Sequence, residues 1–310
     1  MDYFVLTQGI LLSMAFFINI SFGIVIFFNP LESRVTSNLI AHQSLIDAGL
    51  CFTNLLLNTI PHPTIILNDV YGQFICHVWI TQWLYWHIVQ MSVQNLVCIA
   101  LDRYVAVVKA ALYREKQKFV LIFSYVYVWL FSSIVAFPVA LQSSIVNNSC
   151  QSITVLNSSS LNAFFFAYAI IWFITCYFLP TLFFIFVYGN IVKIIKKLKS
   201  SDGDSMRTRF TISAFIITLF FVVLFSYDTI YYLLGNMNVV SYVFGSSLQK
   251  VGVLLITMNS FVNPTIYLAV MKSMRTRYVK FYLKLFHCPL ALSKEFREVS
   301  AMNSTVQHTI

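Results

Sequence analysis

Charge is what this sequence has least of. Only 10% of its 310 residues are Asp, Glu, Lys or Arg, where an ordinary globular protein carries about a quarter. Water is therefore not the main solvent of the chain. Acid is the scarcer sign, with 11 acidic residues against 20 basic ones and a net charge of +9. Chemical signatures are missing too. There is no His-Glu-x-x-His, no paired carboxylates and no nucleophile motif, and His42 and His87 stand alone, so nothing supports a membrane enzyme. A transporter or channel is the rival class. Such proteins often carry internal repeats or several buried charges along a path, whereas this chain has no repeat and only Asp47, Asp102, Arg103 and Asp228 as clear candidates. A cleavable signal is not apparent, because the first apolar run follows Asp2 rather than a basic segment and is far longer than a signal-peptide core.

What is present is apolar sequence, 59% of the chain. Stretches of about 18 to 20 apolar residues or more are the mark of membrane-spanning helices. Seven are found, at about 3–28, 35–60, 73–108, 119–141, 162–192, 209–234 and 241–271. Together they predict an all-α membrane protein: a single seven-helix bundle over 1–310, multi-pass, with a short tail at 287–310. The second run is the most polar, interrupted by His42 and Asp47.

Lys and Arg set the orientation, because they concentrate on the cytoplasmic side. With the N-terminus outside, Arg34, 109–118, 193–209 and the tail from Lys272 all fall inside, and Lys250 alone falls outside. The positive charge is thus a topology signal, joined to attraction for anionic membrane lipid or an acidic cytoplasmic partner, and does not argue for nucleic acid. Residues 273–286 alternate basic residues with Met274, Tyr278, Phe281, Tyr282 and Leu285, the pattern of an amphipathic helix on the inner membrane surface. Lys272, Arg275, Arg277, Lys280 and Lys284 are expected to face the headgroups, and Cys288 just beyond is a candidate palmitoylation site. The Ser- and Asn-rich stretch 142–161 holds glycosylation sequons at Asn147 and Asn157.

The third apolar run ends in an adjacent acid and base, Asp102 and Arg103, followed by Tyr104. Charges at the edge of a membrane helix are costly and tend to face the bundle, pair and mark function. With Ser92, Leu96, Ile99 and Ala100 in register ahead of Asp102-Arg103-Tyr104, the stretch resembles the third helix of rhodopsin-like G-protein-coupled receptors. Asn19, Asp47, Trp129 with Pro138, Pro180 with Tyr188, and Asn263-Pro264-Thr265-Ile266-Tyr267 stand in the same order as that family's marks on the other helices.

The resemblance implies a plasma-membrane receptor that binds an extracellular ligand, a peptide or small molecule, and activates a heterotrimeric G-protein. It gives Asp102, Arg103, Tyr104, Tyr188, Asn263, Pro264 and Tyr267 to the switch and G-protein coupling. It also implies that Asn19, Asp47, Ser92, Asn259, Ser260 and Asn263 converge at mid-membrane on a sodium ion or on a water-filled polar network. No other cofactor or metal is implied. A disulfide between Cys76 and Cys150 is implied as well, although Cys76 lies about two residues farther from Arg103 than the family pattern has it.

Several positions depart from the family. Arg207 stands where an acid at the start of helix six helps hold Arg103, so measurable activity without ligand is expected. Phe225 and Tyr227 replace that helix's tryptophan and proline, which leaves a kink with no local cause. Thr257 occupies the place of the opsin lysine, so no retinal Schiff base forms there. Tyr85 occupies the helix-three place of the aspartate used by amine receptors, which argues against a standard monoamine receptor. Candidate pocket residues are Tyr85, Trp86, Val89, Phe225, Asp228, Tyr231, Tyr232 and Lys250. Asp228 is aimed into the bundle, and two partners are open to it: a salt bridge to Lys250, or a cationic group on the ligand.

Overall fold

Lipid supplies no hydrogen bonds, so a chain that crosses it must satisfy its backbone within helices. The computed structural model of the chain describes residues 3–30, 33–61, 63, 65–108, 110–152, 159–198, 206–243 and 245–285. It contains α1 (Tyr3–Phe28), α2 (Arg34–Thr59), α3 (Trp83–Val108), α4 (Ala110–Ala140), a hairpin of β1 (Ser143–Val146) and β2 (Ser149–Ser152), α5, α6 (Met206–Asn236), α7 (Ser247–Val270) and α8 (Lys272–Leu285). α5 is composite, running Ser159–Phe173, a wide turn Ile174–Phe178, and then Leu179–Leu198. α1 packs on α2 and α7, α2 on α3, α3 on α4 and α5, and α6 on α5 and α7, which closes a seven-helix bundle.

Large apolar side chains point both ways, as lipid permits. Phe17, Phe27, Ile134 and Ile185 lie on the outer girdle, while Phe22, Leu50, Phe221 and Phe225 fill the interior. Six spans among the described residues are long and apolar enough to cross a membrane. α2 is not one of them, although it runs 26 residues. Its inner face carries Thr36, Gln43, Ser44, Asp47 and Asn54, all buried, so its apolar character was spent on the polar centre it supports.

Element ends differ from the sequence reading where local chemistry overrides hydropathy. α4 starts at Ala110 rather than 119 because the basic stretch ahead of the apolar run is made of good helix formers. α7 begins at Ser247, not 241: Gly245 takes φ 76°, and the Ser246 hydroxyl accepts from the Gln249 amide as an N-cap. The span expected at 73–108 is broken. A short helix Val70–Phe74 leads into a wide turn Ile75–Ile80, the chain then breaks at Thr81 and Gln82, where Gln82 has φ 57°, and α3 proper begins at Trp83. Wide turns add residues without adding length. This one takes up the extra residues between Cys76 and Arg103.

Cys76 bonds Cys150 as the resemblance implied, with Cα atoms 5.5 Å apart. The partner strand is held in register by the hairpin, in which Cys150 lies opposite Ile145. Asn147 and Asn148 form the two-residue turn with φ of 50° and 56°, the conformation such turns demand and asparagine tolerates. Asn147 is exposed at that tip, as its sequon requires, while Asn157 and Cys288 lie outside the described residues. His77 Nδ1 donates to the Ala140 carbonyl at 2.7 Å, tying the wide turn to the end of α4.

α8 lies against the inner end of α1. Met274 is buried, Tyr278 Oη and Ser21 Oγ share a hydrogen bond of 2.7 Å, and Lys272, Arg275 and Lys280 are exposed. Arg277 differs from the headgroup role expected of it: its guanidinium donates to the carbonyls of Asn29 at 3.1 Å and Pro30 at 2.5 Å. The cause is the end of α1, whose last carbonyls have no helical partner.

Replacing Cys76 or Cys150 by Ser removes the same bond. Each variant should lose folded protein to the same degree, on the order of 2 to 5 kcal/mol by analogy with small secreted domains. Thermal melts of the purified singles and the double check this, and a double variant markedly worse than either single would refute a shared bond.

Candidate functional site

The first polar centre is built on α2. Asp47 is completely buried. Its Oδ1 accepts from Gln43 Nε2 at 3.0 Å, Ser92 Oγ at 2.9 Å and Ser260 Oγ at 3.4 Å, and its Oδ2 from Asn263 Nδ2 at 2.6 Å. One carboxylate thereby joins α2, α3 and α7. Gln43 also donates to Ser92 Oγ at 2.7 Å, while Asn95 Nδ2 donates to Gln43 Oε1 at 2.9 Å and His42 Nδ1 to Asn95 Oδ1 at 2.9 Å. A continuous chain of side chains therefore runs from the α2–α4 contact, where His42 meets the Tyr125 ring, to Asp47.

Not every residue assigned to this centre touches Asp47. Asn19 donates instead to the Ser260 carbonyl at 2.9 Å and the Ala15 carbonyl at 2.8 Å, pinning α1 to α7. Asn259 is buried but outside the carboxylate's shell, and its Oδ1 has no protein partner; the same is true of Oδ1 in Asn19 and Asn263. Gln43, Asn95 and His42 were missed by sequence reasoning. Gln43 had a legible signal, since it lies one turn before Asp47 on the same helix face.

The second centre lies at the C-terminal end of α3. Arg103 Nε donates to Asp102 Oδ2 at 3.0 Å, and its Nη2 bonds both Asp102 and Thr36. Thr36 Oγ1 in turn donates to Asp102 Oδ2 at 2.9 Å, and Tyr113 donates to Oδ1 at 2.6 Å. Tyr113 also shares a 2.7 Å bond with Ser33, the N-cap of α2. Burial pushes the Tyr113 phenol above its ordinary pKa, with the Asp102 charge adding to the shift, so the hydroxyl keeps the proton it donates. Where an acid of helix six was missing, the Phe210 ring covers the guanidinium at 5.5 Å from its centroid. The Arg207 side chain lies outside what the structure describes.

The remaining switch residues surround this end. Tyr104 lies beside Phe186, the buried Tyr188 ring meets Phe215 edge-on at 5.5 Å, and Tyr267 stacks on Phe22 at 6.0 Å. Pro264 is held inside α7 without ending it.

A third centre lies at the opposite end of the bundle from Arg103. A small cavity, with about 20 Å³ of room within about 280 Å³ of space that counts open solvent, is lined by Trp86, Gln142, Trp172, Asp228, Tyr232 and Tyr242, among others. Of the sequence candidates, Trp86, Asp228 and Tyr232 are there. Tyr85, Val89, Phe225, Tyr231 and Lys250 are not among the described lining residues. Tyr85 packs toward α7, 3.4 Å from Thr257 Oγ1, and Phe225 is buried on Phe221 with ring centroids 4.4 Å apart. Tyr231 donates to the Ser241 carbonyl at 2.8 Å. Lys250 is exposed and makes no salt bridge to Asp228; among the described residues the Asp102–Arg103 pair is the one salt bridge. α6, lacking an internal proline, runs unbroken from Met206 to Asn236.

A multi-pass helical membrane protein with a polar core on three levels is the class these features define. The model of the 7 transmembrane receptor (rhodopsin family) matches residues 18–267. The chain belongs to that family, and receptor-type signalling follows from it at that coarse level. No curated protein matches it.

Gln43→Leu deletes the amide that bridges Asp47, Ser92 and Asn95. A stability loss of about 1 to 3 kcal/mol is expected, and much less when Asp47→Asn is already present, because the two belong to one network. Thermal melts of the purified singles and double test the coupling; additive losses would show that the bridge does not operate.

Proposed function

We propose that the protein is a cell-surface receptor of the plasma membrane, N-terminus outside, that binds an extracellular ligand and activates heterotrimeric G-proteins. The observation that carries this reading is the held arginine: Arg103 is buried at the inner end of α3, fastened by Asp102 and Thr36 and capped by Phe210. A receptor of this family needs a group at that place whose release opens a cytoplasmic cavity. Asn263, Tyr188 and Tyr267 would rearrange with it.

Arg103→Ala should leave ligand binding and surface expression near wild type while lowering agonist-driven nucleotide exchange to background, since the residue lies far from the outer cavity. Normal exchange in that variant would defeat the receptor reading. The same assay run without ligand should register basal exchange in the wild type, because a ring rather than an acid faces Arg103 from α6.

We further propose that the Asp47 centre takes a sodium ion. The residues fit one: a carboxylate with no cationic partner among the described residues, flanked by Ser92 and Ser260, with acceptor oxygens of Asn19, Asn259 and Asn263 that lack donors. Bound sodium would neutralise the carboxylate and favour the resting arrangement. Agonist affinity should then fall as sodium replaces a large organic cation at constant ionic strength, and Asp47→Asn should abolish the dependence. Affinity indifferent to sodium would mean that the network holds water alone.

A further inference from the structure

Asp228 is 1% exposed, yet its Oδ1 has no hydrogen-bond partner. That is unusual for a carboxylate in a membrane helix, where an ionised group is expected to be paired. The packing has made room for it. Gly252 of α7 faces it so closely that a Cβ there would lie 2.6 Å from Oδ1 and 2.9 Å from its Cβ. A side chain at 252 would displace the acid, so glycine keeps the carboxylate in place against α7. No cation pairs with it among the described residues, and Lys250 is exposed.

The walls around this acid are aromatic. Trp86 meets Trp172 edge-on at 5.9 Å, and Tyr232 meets Tyr242 edge-on at 5.3 Å, all four lining the same cavity as Asp228. Gln142 Nε2 donates to Tyr232 Oη at 2.8 Å and fixes that ring from the segment after α4. Aromatic faces attract cations, most strongly when water is excluded. A carboxylate among several such faces is the chemistry that holds an organic ammonium. Asp228 lies eight residues before the outer end of α6 at Asn236, roughly 12 Å along the axis. Gln142 and Tyr242 belong to the outer connections, so the cavity lies beneath them on the side open to an external ligand.

We propose that this cavity takes the head of a small organic amine, its ammonium on Asp228 against the faces of Trp86, Trp172 and Tyr232 and its apolar body in the space above that is open to solvent. The inference rests on the receptor reading and gives it a ligand class. Size separates an amine head from a peptide chain: the cavity has only about 20 Å³ of room, that of a water or an ammonium group and too little for a chain of residues. The anchor is on α6 rather than α3, where Tyr85 stands, so the arrangement differs from that of a standard monoamine receptor.

The test uses the full chain in lipid nanodiscs and reads thermal stability, which needs no G-protein. The probes are a series of alkyl- and arylalkylamines, primary to quaternary, phenethylamine among them; 2-phenylethanol as an uncharged counterpart; and short peptides bearing Lys or Arg. At least one amine should raise the melting temperature, and the alcohol should not. Asp228→Asn, nearly isosteric, should weaken that amine about 10- to 100-fold, and Gly252→Ala should do the same by displacing the carboxylate. The unliganded melting temperatures of both variants show whether they fold, and if Gly252→Ala does not, Asp228→Asn decides alone. The proposal is overturned if no amine shifts the wild type, if the amine shift survives Asp228→Asn, or if only the peptides act. Amine binding without nucleotide exchange would leave this inference standing and defeat the receptor reading; exchange driven by an uncharged ligand and indifferent to Asp228→Asn would do the reverse.

Discussion

One carboxylate holds the middle of this bundle together. Asp47 takes donors from α2, α3 and α7, and in lipid those groups have no water to turn to if the helices separate. A charge at the centre of a membrane helix costs on the order of 2.5 to 3.5 kcal/mol on insertion scales. Hydrogen bonds to a charged group return about 1.5 to 3 kcal/mol each, so four donors can offset that cost and still favour the packed state. The extension through Gln43, Asn95 and His42 carries the constraint to α4, and Asn19 carries it to α1. An apolar interface could slide; this one has a register.

Much of this was legible because membrane sequence obeys few rules. Seven spans were legible as apolar runs, the second despite His42 and Asp47, and the polar exceptions, Asp47, Asp102, Arg103 and Asn263, were conspicuous because they interrupt such runs. Residues that complete a centre without interrupting anything were not visible. Thr36 and Tyr113 become partners of Asp102 only when α2 and the start of α4 are brought against the end of α3. Phe210 likewise looked like one aromatic among many. The proposed salt bridge from Asp228 to Lys250 fails for a related reason. Spacing tells which way Asp228 points, but the exposed position of Lys250 depends on how α7 begins, and that is set by Gly245 and the Ser246 cap.

Departures from helical regularity cluster where the chain must change its pitch. The wide turn before α3 absorbs extra residues, so Cys76 reaches Cys150 while Arg103 keeps its place at the other end. The wide turn in α5 comes just before Pro180, whose missing amide leaves the Cys176 carbonyl without its usual helical donor. In α6 no such device exists: Met206 to Asn236 is continuous, and the aromatic pair Phe221 and Phe225 occupies the place of a kink. Phe221 meets Phe184 edge-on at 5.6 Å, so this unbroken helix packs on α5 partway along and carries Asp228 nearer its other end.

That geometry gives the three buried acids different standing. Asp102 is matched by an arginine and further donors, and Asp47 by four donors, so each is satisfied by the chain itself. Asp228 alone keeps an oxygen without a partner. A buried group left unsatisfied lowers stability, and its penalty is relieved by whatever supplies the missing charge or donor. Asp47 and Asp102 therefore hold the helices in their packing, whereas Asp228 keeps an oxygen that no described group matches. α6 carries both Asp228 and Phe210 on one unbroken run of helix, so the unmatched acid and the ring that covers Arg103 belong to a single element.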